Sequence, residues 1–117
     1  MGLVGCESAN SHYSRLAMFQ SLEHNTVVVV DRLQATDSGR VTAIRISLGH
    51  EYDERLVELT RVSIGRGDGE ITSGNVKAKW FSSDILKLCL IDISENQMLD
   101  INVADGAFVL VGSTCTL

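Results

Sequence analysis

Residues 26–33 read Thr-Val-Val-Val-Val-Asp-Arg-Leu, and this run decides the fold class. Four consecutive β-branched valines favour an extended, pleated backbone over a helix. The next run, Arg40–Leu48, ends in strict alternation of apolar and polar side chains from Ile44 onwards. A period of two residues is typical of a strand that buries one face. The centre of the chain therefore predicts β-structure.

Further strands are predicted on both sides of this centre. Arg55–Ile64 changes its apolar face partway along, which predicts a β-bulge near Thr60. Ser14–Leu22 fits either a helix or a strand. Turns rich in Gly, Asn, Asp and Ser separate the runs, and their spacing predicts an all-β sandwich or barrel of seven or eight strands. The remaining predicted strands are Asn75–Phe81, Ile85–Ile93, Met98–Val103 and Ala107–Gly112.

The composition is typical of a single globular domain over residues 1–117. Apolar residues make up 44% of the chain, and ten Lys and Arg face fifteen Asp and Glu, a formal net charge of −5. This balance disfavours direct nucleic-acid binding, which needs a basic face, and favours a basic protein partner. The apolar runs are shorter than the roughly 20 residues that span a bilayer, so we expect no membrane partner.

The cysteines, Cys6, Cys89 and Cys115, form no C-x-x-C pair. Cys89 lies inside an apolar run, where a small buried thiol is the usual state. The odd number and the spacing therefore predict a buried thiol at Cys89 and a reducing compartment.

Several predicted strands are apolar on both faces, including Val27–Val30, Ile85–Ile93 and Phe108–Val111. A small sandwich has one interior, so a second apolar face needs another cover. A homo-oligomer interface provides one, and local irregularity in a monomer is the alternative. The residues that we expect in the core or in an oligomer interface are Val27, Val29, Leu86, Leu88, Leu90, Phe108 and Leu110.

Sequence motifs for catalysis are missing from the chain. It has no G-x-S-x-G elbow and no P-loop, and its histidines are too widely spaced for a metal site. We therefore expect no enzyme activity, no cofactor and no metal. The densest acidic spots flank predicted strand ends, where they form either solvated loops or a negative rim for a basic ligand. These candidate binding residues are Glu51, Asp53, Glu54, Asp68 and Glu70.

Two short motifs have competing interpretations. Residues 1–6, Met-Gly-Leu-Val-Gly-Cys, fit a first strand and also, in part, acylation at Gly2 or Cys6. The tripeptide 66–68, Arg-Gly-Asp, fits a tight turn with glycines at positive φ and also an integrin-type ligand. For residues 1–6 we favour the strand, because only five residues precede Cys6. For residues 66–68 we favour the turn, because the chain has no N-x-[S/T] sequon of a secreted protein.

A set of short motifs follows a familiar order along the chain. Gly5-Cys6-Glu7 ends a short first strand, and Glu23-His24 leads into the valine run. Arg55–Thr60 has the form basic-Leu-Val-x-x-Thr, and residues 104–112 place an apolar strand between a small turn and a glycine. Taken in this order over nearly the whole chain, the motifs resemble the nucleoplasmin family of histone chaperone cores, which includes the N-terminal domains of nuclear FK506-binding-type prolyl isomerases.

The resemblance implies an eight-stranded antiparallel jelly-roll β-sandwich that assembles as a ring-shaped homo-oligomer, a pentamer. It implies a nuclear protein whose acidic surface, including the five candidate acidic residues, binds core histones or other basic proteins. Two features depart from the family pattern. Lys and Glu are missing near Ala35–Ser38, where the family has an Ala-Lys-Asp-Glu turn, and these 117 residues contain no long acidic tract. The alternative functions are a β-sandwich interaction or adaptor domain and a small ligand-binding barrel or enzyme.

Overall fold

Two four-stranded antiparallel sheets make up the computed structural model, which describes residues 11–21, 23–50, 53–65 and 67–117. The first sheet contains β1 (Ser11–Ser21), β2 (Thr26–Ala35), β3 (Val41–His50) and β4 (Asp53–Ser63). A 3₁₀ turn, Ser73–Asn75, leads into the second sheet. That sheet contains β5 (Val76–Trp80), β6 (Ile85–Leu90), β7 (Gln97–Asn102) and β8 (Phe108–Gly112). The all-β prediction is confirmed.

Each sheet joins its strands in chain order, β1-β2-β3-β4 and β5-β6-β7-β8. Both sheets are therefore antiparallel meanders. The expected jelly-roll connectivity is not confirmed, because a jelly roll is built from Greek keys, in which a strand returns beside a non-consecutive neighbour. Short turns explain the meanders, since tight connections keep consecutive strands adjacent. Gly39 and Gly106 lie at φ 71° and 79° in two of the predicted turns.

Strand pairing shows the conformation of the stretch that begins at Ser14 and the position of the bulge in β4. The stretch predicted as helix or strand is extended, because β1 pairs along β2 as far as Ser21. In the β3–β4 pair, Ile46 lies opposite Thr60 while Ser47 lies opposite Glu58. Leu59 is therefore the extra residue, and the bulge predicted near Thr60 is confirmed.

The two sheets pack face to face around a shared aliphatic core. Val28 and Ile46 of the first sheet and Leu88 and Ile101 of the second are fully buried. Burying an aliphatic side chain of this size contributes about 2 kcal/mol. The core thus has the sandwich-like form predicted from the Val-, Ile- and Leu-rich strands. No helix within the described ranges is long and apolar enough to cross a membrane.

The residues predicted for the core or an interface take three different positions. Leu86, Leu88 and Leu90 point into the core. Val29 lies on the opposite face of β2 from the core yet is only 2% exposed, and Val27 is half-buried. Phe108 and Leu110 are exposed. The second apolar face of β2 is therefore covered at Val29 within one chain, and β8 is the strand whose apolar side chains stay uncovered.

A disulfide joins Cys89 of β6 to Cys115, so the prediction of a buried free thiol is wrong. The chain after β8 turns back across the outer face of the second sheet, where the Thr116 hydroxyl donates a hydrogen bond to the Met98 sulfur at 3.4 Å. Cys89 and Met98 are consequently buried on this outer face. The expectation of a reducing compartment loses its support, because disulfides persist in oxidising compartments. Cys6 lies outside the described residues.

Candidate functional site

Strand β8 is an apolar strand at the edge of the second sheet. Phe108, Val109, Leu110 and Val111 are 39%, 63%, 57% and 50% exposed. Successive side chains of a strand point to opposite faces, so β8 is uncovered on both. One backbone edge of β8 pairs with β7, and its other edge meets no described strand. The strand therefore offers apolar side chains and free backbone hydrogen-bonding groups together.

The other three sheet edges differ from β8 in charge. Strand β1 carries Arg15, and β5 carries Lys77 and Lys79. Strand β4 carries Glu58 and Arg61 among its several charged residues. Charged side chains on an edge strand oppose pairing with another chain. Of the four edges of the described sheets, β8 alone has no Asp, Glu, Lys or Arg.

The predicted acidic residues whose backbone the structure describes lie in two separate groups. Glu51 lies outside the described residues, as do the side chains of Asp53 and Glu54, whose backbone begins β4. Asp68 and Glu70 follow the other end of that strand. A strand rises about 3.3 Å per residue, so the 11 residues of β4 separate the two groups by roughly 30 Å. Within one chain, Asp53 and Glu54 therefore lie at the opposite end of the sandwich from Asp68 and Glu70.

Asp68 holds two loops together. Its carboxylate accepts hydrogen bonds from the Gly65 amide at 2.8 Å and from both the hydroxyl and the amide of Ser94 at 2.7 Å. The bond from the Ser94 hydroxyl is the main reason that the pKa of Asp68 lies below its ordinary value of 3.8. Asp68 is therefore a structural residue, whereas Glu70 is an exposed carboxylate on the same loop.

The 66–68 tripeptide is part of this loop. Arg66 lies outside the described residues, and Asp68 is bound within the chain rather than displayed. The predicted tight turn is confirmed, because the Asp68 amide donates a hydrogen bond to the Gly65 carbonyl at 3.1 Å. The expected positive φ is wrong, because neither Gly65 nor Gly67 nor Gly69 adopts a left-handed φ. The Asp68 hydrogen bonds, not glycine conformations, determine the path of this segment.

A second acidic group lies at the end of the sandwich where β4 begins. His24 Nε2 and Asp84 Oδ1 are 2.6 Å apart, so the β1–β2 turn meets the β5–β6 loop. The β7–β8 turn reaches the same end, where Gly106 approaches Leu48 of β3. These connections contain no Lys or Arg among residues 23–25, 81–84 and 103–107. Their carboxylates are those of Glu23, Asp84 and Asp105.

Sequence reasoning missed Glu23, Asp84 and Asp105 as members of this acidic end because they are far apart in the chain. Each of the three turns carries only one carboxylate, so none is a dense acidic spot. The available signal was the antiparallel order of the strands, which places alternate turns at the same end of a meander.

Asp31 anchors a network on the outer face of the first sheet. Its side chain is 3% exposed and accepts hydrogen bonds from Arg15 and Arg45, each at 3.0 Å. The Arg45 guanidinium lies 3.5 Å from the centroid of the Tyr13 ring, a favourable cation–π contact. Arg61 donates to the Tyr13 hydroxyl at 3.1 Å. The charge of Asp31 is thus neutralised in place and is not available to a partner.

A polar cavity of about 300 Å³ opens between the β2–β3 hairpin and the segment after β4. Its lining includes Arg32, Arg40, Asp68 and Glu70, so its positive and negative charges balance. Arg32 is held by hydrogen bonds to the Ser14 hydroxyl at 2.7 Å and the Ile71 carbonyl at 2.5 Å. Within the described part of the chain, no group of three or more His, Cys, Asp or Glu side chains is placed to hold a metal ion.

Comparison with known proteins identified no relative of this chain. A scan against protein-family models, a search of curated proteins and a search of solved structures each found no match. Membership of the nucleoplasmin family therefore stays a prediction. The surfaces of the chain that bear on its function are the exposed strand β8 and the acidic end of the sandwich.

Proposed function

We propose that this chain is a non-catalytic β-sandwich domain that acts as a homo-oligomer and binds a basic protein. Strand β8 is the observation that carries this proposal. Four consecutive apolar side chains, Phe108–Val111, are between 39% and 63% exposed on an uncharged edge strand. Contiguous exposed apolar surface of this kind is typical of interaction sites.

The charge distribution supports a basic partner. The chain has a formal net charge of −5, and its described turns at one end carry Glu23, Asp84 and Asp105 without Lys or Arg. Each chain added to an oligomer adds its own negative charge, which strengthens the field that attracts a basic protein. The acidic surface would then shield the positive charges of the bound partner.

The resemblance supplies a more specific form of this proposal. It implies core histones as the partner, the nucleus as the location, and a jelly-roll pentamer as the assembly. The meander order of the two sheets and the Cys89–Cys115 disulfide are not explained by that form. Other basic proteins, including secreted ones, therefore belong in the same binding experiment.

Binding of a basic protein tests the proposal. Core histones, and separately a basic protein that is not a histone, are titrated into the labelled chain at several NaCl concentrations. We expect binding that weakens steeply between about 0.05 and 0.5 M NaCl, because salt screens exposed charges. Glu23→Lys with Asp105→Lys should weaken it, whereas the matched pair Asp37→Lys with Glu95→Lys, at exposed positions at the other end of the sandwich, should weaken it less. No binding at low salt would contradict the proposal.

A small-ligand function is the second candidate, and the cavity beside Arg32 and Arg40 is the observation that favours it. Its volume of about 300 Å³ is at the lower end of the range for ligand pockets. Its charges are balanced within the chain, and Arg32 is already hydrogen-bonded. The exposed strand β8 is therefore the stronger basis for a function.

A further inference from the structure

The geometry points to β8 of a second copy of this chain as the strand that covers β8, in an antiparallel pair related by a two-fold axis. This inference rests on the proposed self-association and identifies its interface. The pair would join two four-stranded sheets into one continuous eight-stranded sheet across two chains.

The backbone of β8 is paired along one edge only. Phe108, Val109 and Leu110 lie opposite Ile101, Asp100 and Leu99 of β7, which fixes one edge of the strand. In an antiparallel sheet, the peptide groups that do not face the paired strand point away from it. Those groups form an open template for one more strand, because the described chain supplies none on that side.

The exposed apolar side chains of β8 restrict which strand can pair with it. A strand added to β8 places its side chains beside Val109 and Leu110, so a charged residue there would lose water without gaining a partner. The edges formed by β1, β4 and β5 all carry charged residues. Among the edge strands that the structure describes, β8 itself, Phe-Val-Leu-Val-Gly, is the one without a charged residue, so a second β8 matches it.

The chain after β8 leads away from the unpaired edge of this strand. The disulfide ties Cys115 to Cys89 of β6, two strands inward from the edge. Thr116 contacts Met98 of β7 on the same outer face. The segment 113–117 is therefore held across the outer face of the sheet and does not cover the free edge of β8.

An antiparallel pair centred on Leu110 places this residue opposite its own copy. Val109 then lies opposite Val111, and Phe108 lies opposite Gly112. Apolar side chains that face each other across two antiparallel strands stabilise the pairing. A five-residue strand is smaller than the roughly 800 Å² per partner of a standard stable interface, so the dimer should dissociate on dilution, with a Kd on the order of micromolar.

Substitution of one exposed side chain tests this interface. We expect sedimentation of the wild-type chain to approach twice its mass of 12.7 kDa at about 100 μM. Leu110→Lys, at a 57% exposed position, should remain at the mass of one chain. Val57→Lys is the matched control, because Val57 is 64% exposed on the β4 edge of the other sheet, and it should behave like the wild type. Thermal unfolding checks that both variants fold.

Disulfide cross-linking tests the register, in which Leu110 of one chain lies opposite Leu110 of the other. Leu110→Cys and, as the control, Val57→Cys are each made in a Cys6→Ser background and oxidised. The Leu110→Cys variant should give a cross-linked dimer on a non-reducing gel, because the two-fold axis brings the two introduced thiols together, and Val57→Cys should not.

The results of these experiments distinguish failure of the β8 interface from failure of the proposed self-association. An oligomer that persists in Leu110→Lys and gives no Leu110→Cys cross-link would overturn the β8 pairing and leave self-association standing. A mass of five chains would also overturn it, because a two-fold interface alone cannot close an odd ring. A wild-type chain that stays monomeric at every concentration would overturn both.

Discussion

Individual carboxylates in this chain differ in what their charge does. Asp31 is buried between Arg15 and Arg45, and Asp68 is bound by Ser94 and Gly65. Glu23, Glu70 and Asp105 are exposed at turns and loops. Since two arginines offset the charge of Asp31, this carboxylate contributes little to an external partner. Asp68 keeps its charge, because its hydrogen-bond donors are neutral, and it adds to the charge of the exposed carboxylates that a basic protein meets. The position of a carboxylate in the sequence does not distinguish the two groups.

The acid-dependent stability of the fold should include a contribution from Asp68. The folded-state pKa of Asp68 is lowered, so its ionised form stabilises the fold at pH values above about 3.8, and this stabilisation is lost as the pH falls through the folded pKa. Asp68→Asn should therefore lower the free energy of unfolding at neutral pH and flatten its decline below about pH 4. Urea unfolding at a series of pH values measures both effects.

Glu70→Gln is the control for that experiment, because it removes a charge from the same loop at an exposed position. It should leave the pH profile close to that of the wild type. An Asp68→Asn variant with the wild-type decline would show that the Ser94 and Gly65 hydrogen bonds do not stabilise the fold through the ionised carboxylate.

Strands were predictable from the sequence because their signal is local. Alternation from Ile44 to Leu48 and the change of face near Thr60 both depend on neighbouring residues, and both are confirmed as β3 and the bulge in β4. Sheet order and the covering of a second apolar face depend on residues distant in the chain. The Cys89–Cys115 bridge is the main example, since the bond spans 26 residues and joins a strand to the tail.

The disulfide should stabilise the second sheet by a measurable amount. Closing a loop of 26 residues lowers the entropy of the unfolded chain and is worth about 3 kcal/mol. Cys115→Ser should therefore lower the free energy of unfolding by about that amount. Guanidinium unfolding with and without reductant measures it, and reductant should weaken the wild type but not the variant. A wild-type chain with the same stability under both conditions would contradict the assignment.

For the molecule as a whole, the sequence predicted self-association because several strands are apolar on both faces. In the structure, most of these second faces are covered within one chain. The apolar second face of β2 is covered at Val29 within one chain, and that of β6 is covered at Cys89, so neither needs a partner there. Strand β8 keeps its apolar side chains exposed, and this exposure is the remaining basis for expecting a homo-oligomer. The binding role of the acidic candidates stays a prediction, and the structure places the backbone of Asp53 and Glu54 at the opposite end of β4 from Asp68 and Glu70.

The mass of the unmodified chain in solution is the measurement on which the proposal depends most. Sedimentation across a dilution series from about 100 μM downward should show more than one chain at the highest concentration, falling toward 12.7 kDa on dilution. A mass of 12.7 kDa throughout the series would contradict self-association and, with it, the functional role assigned to β8.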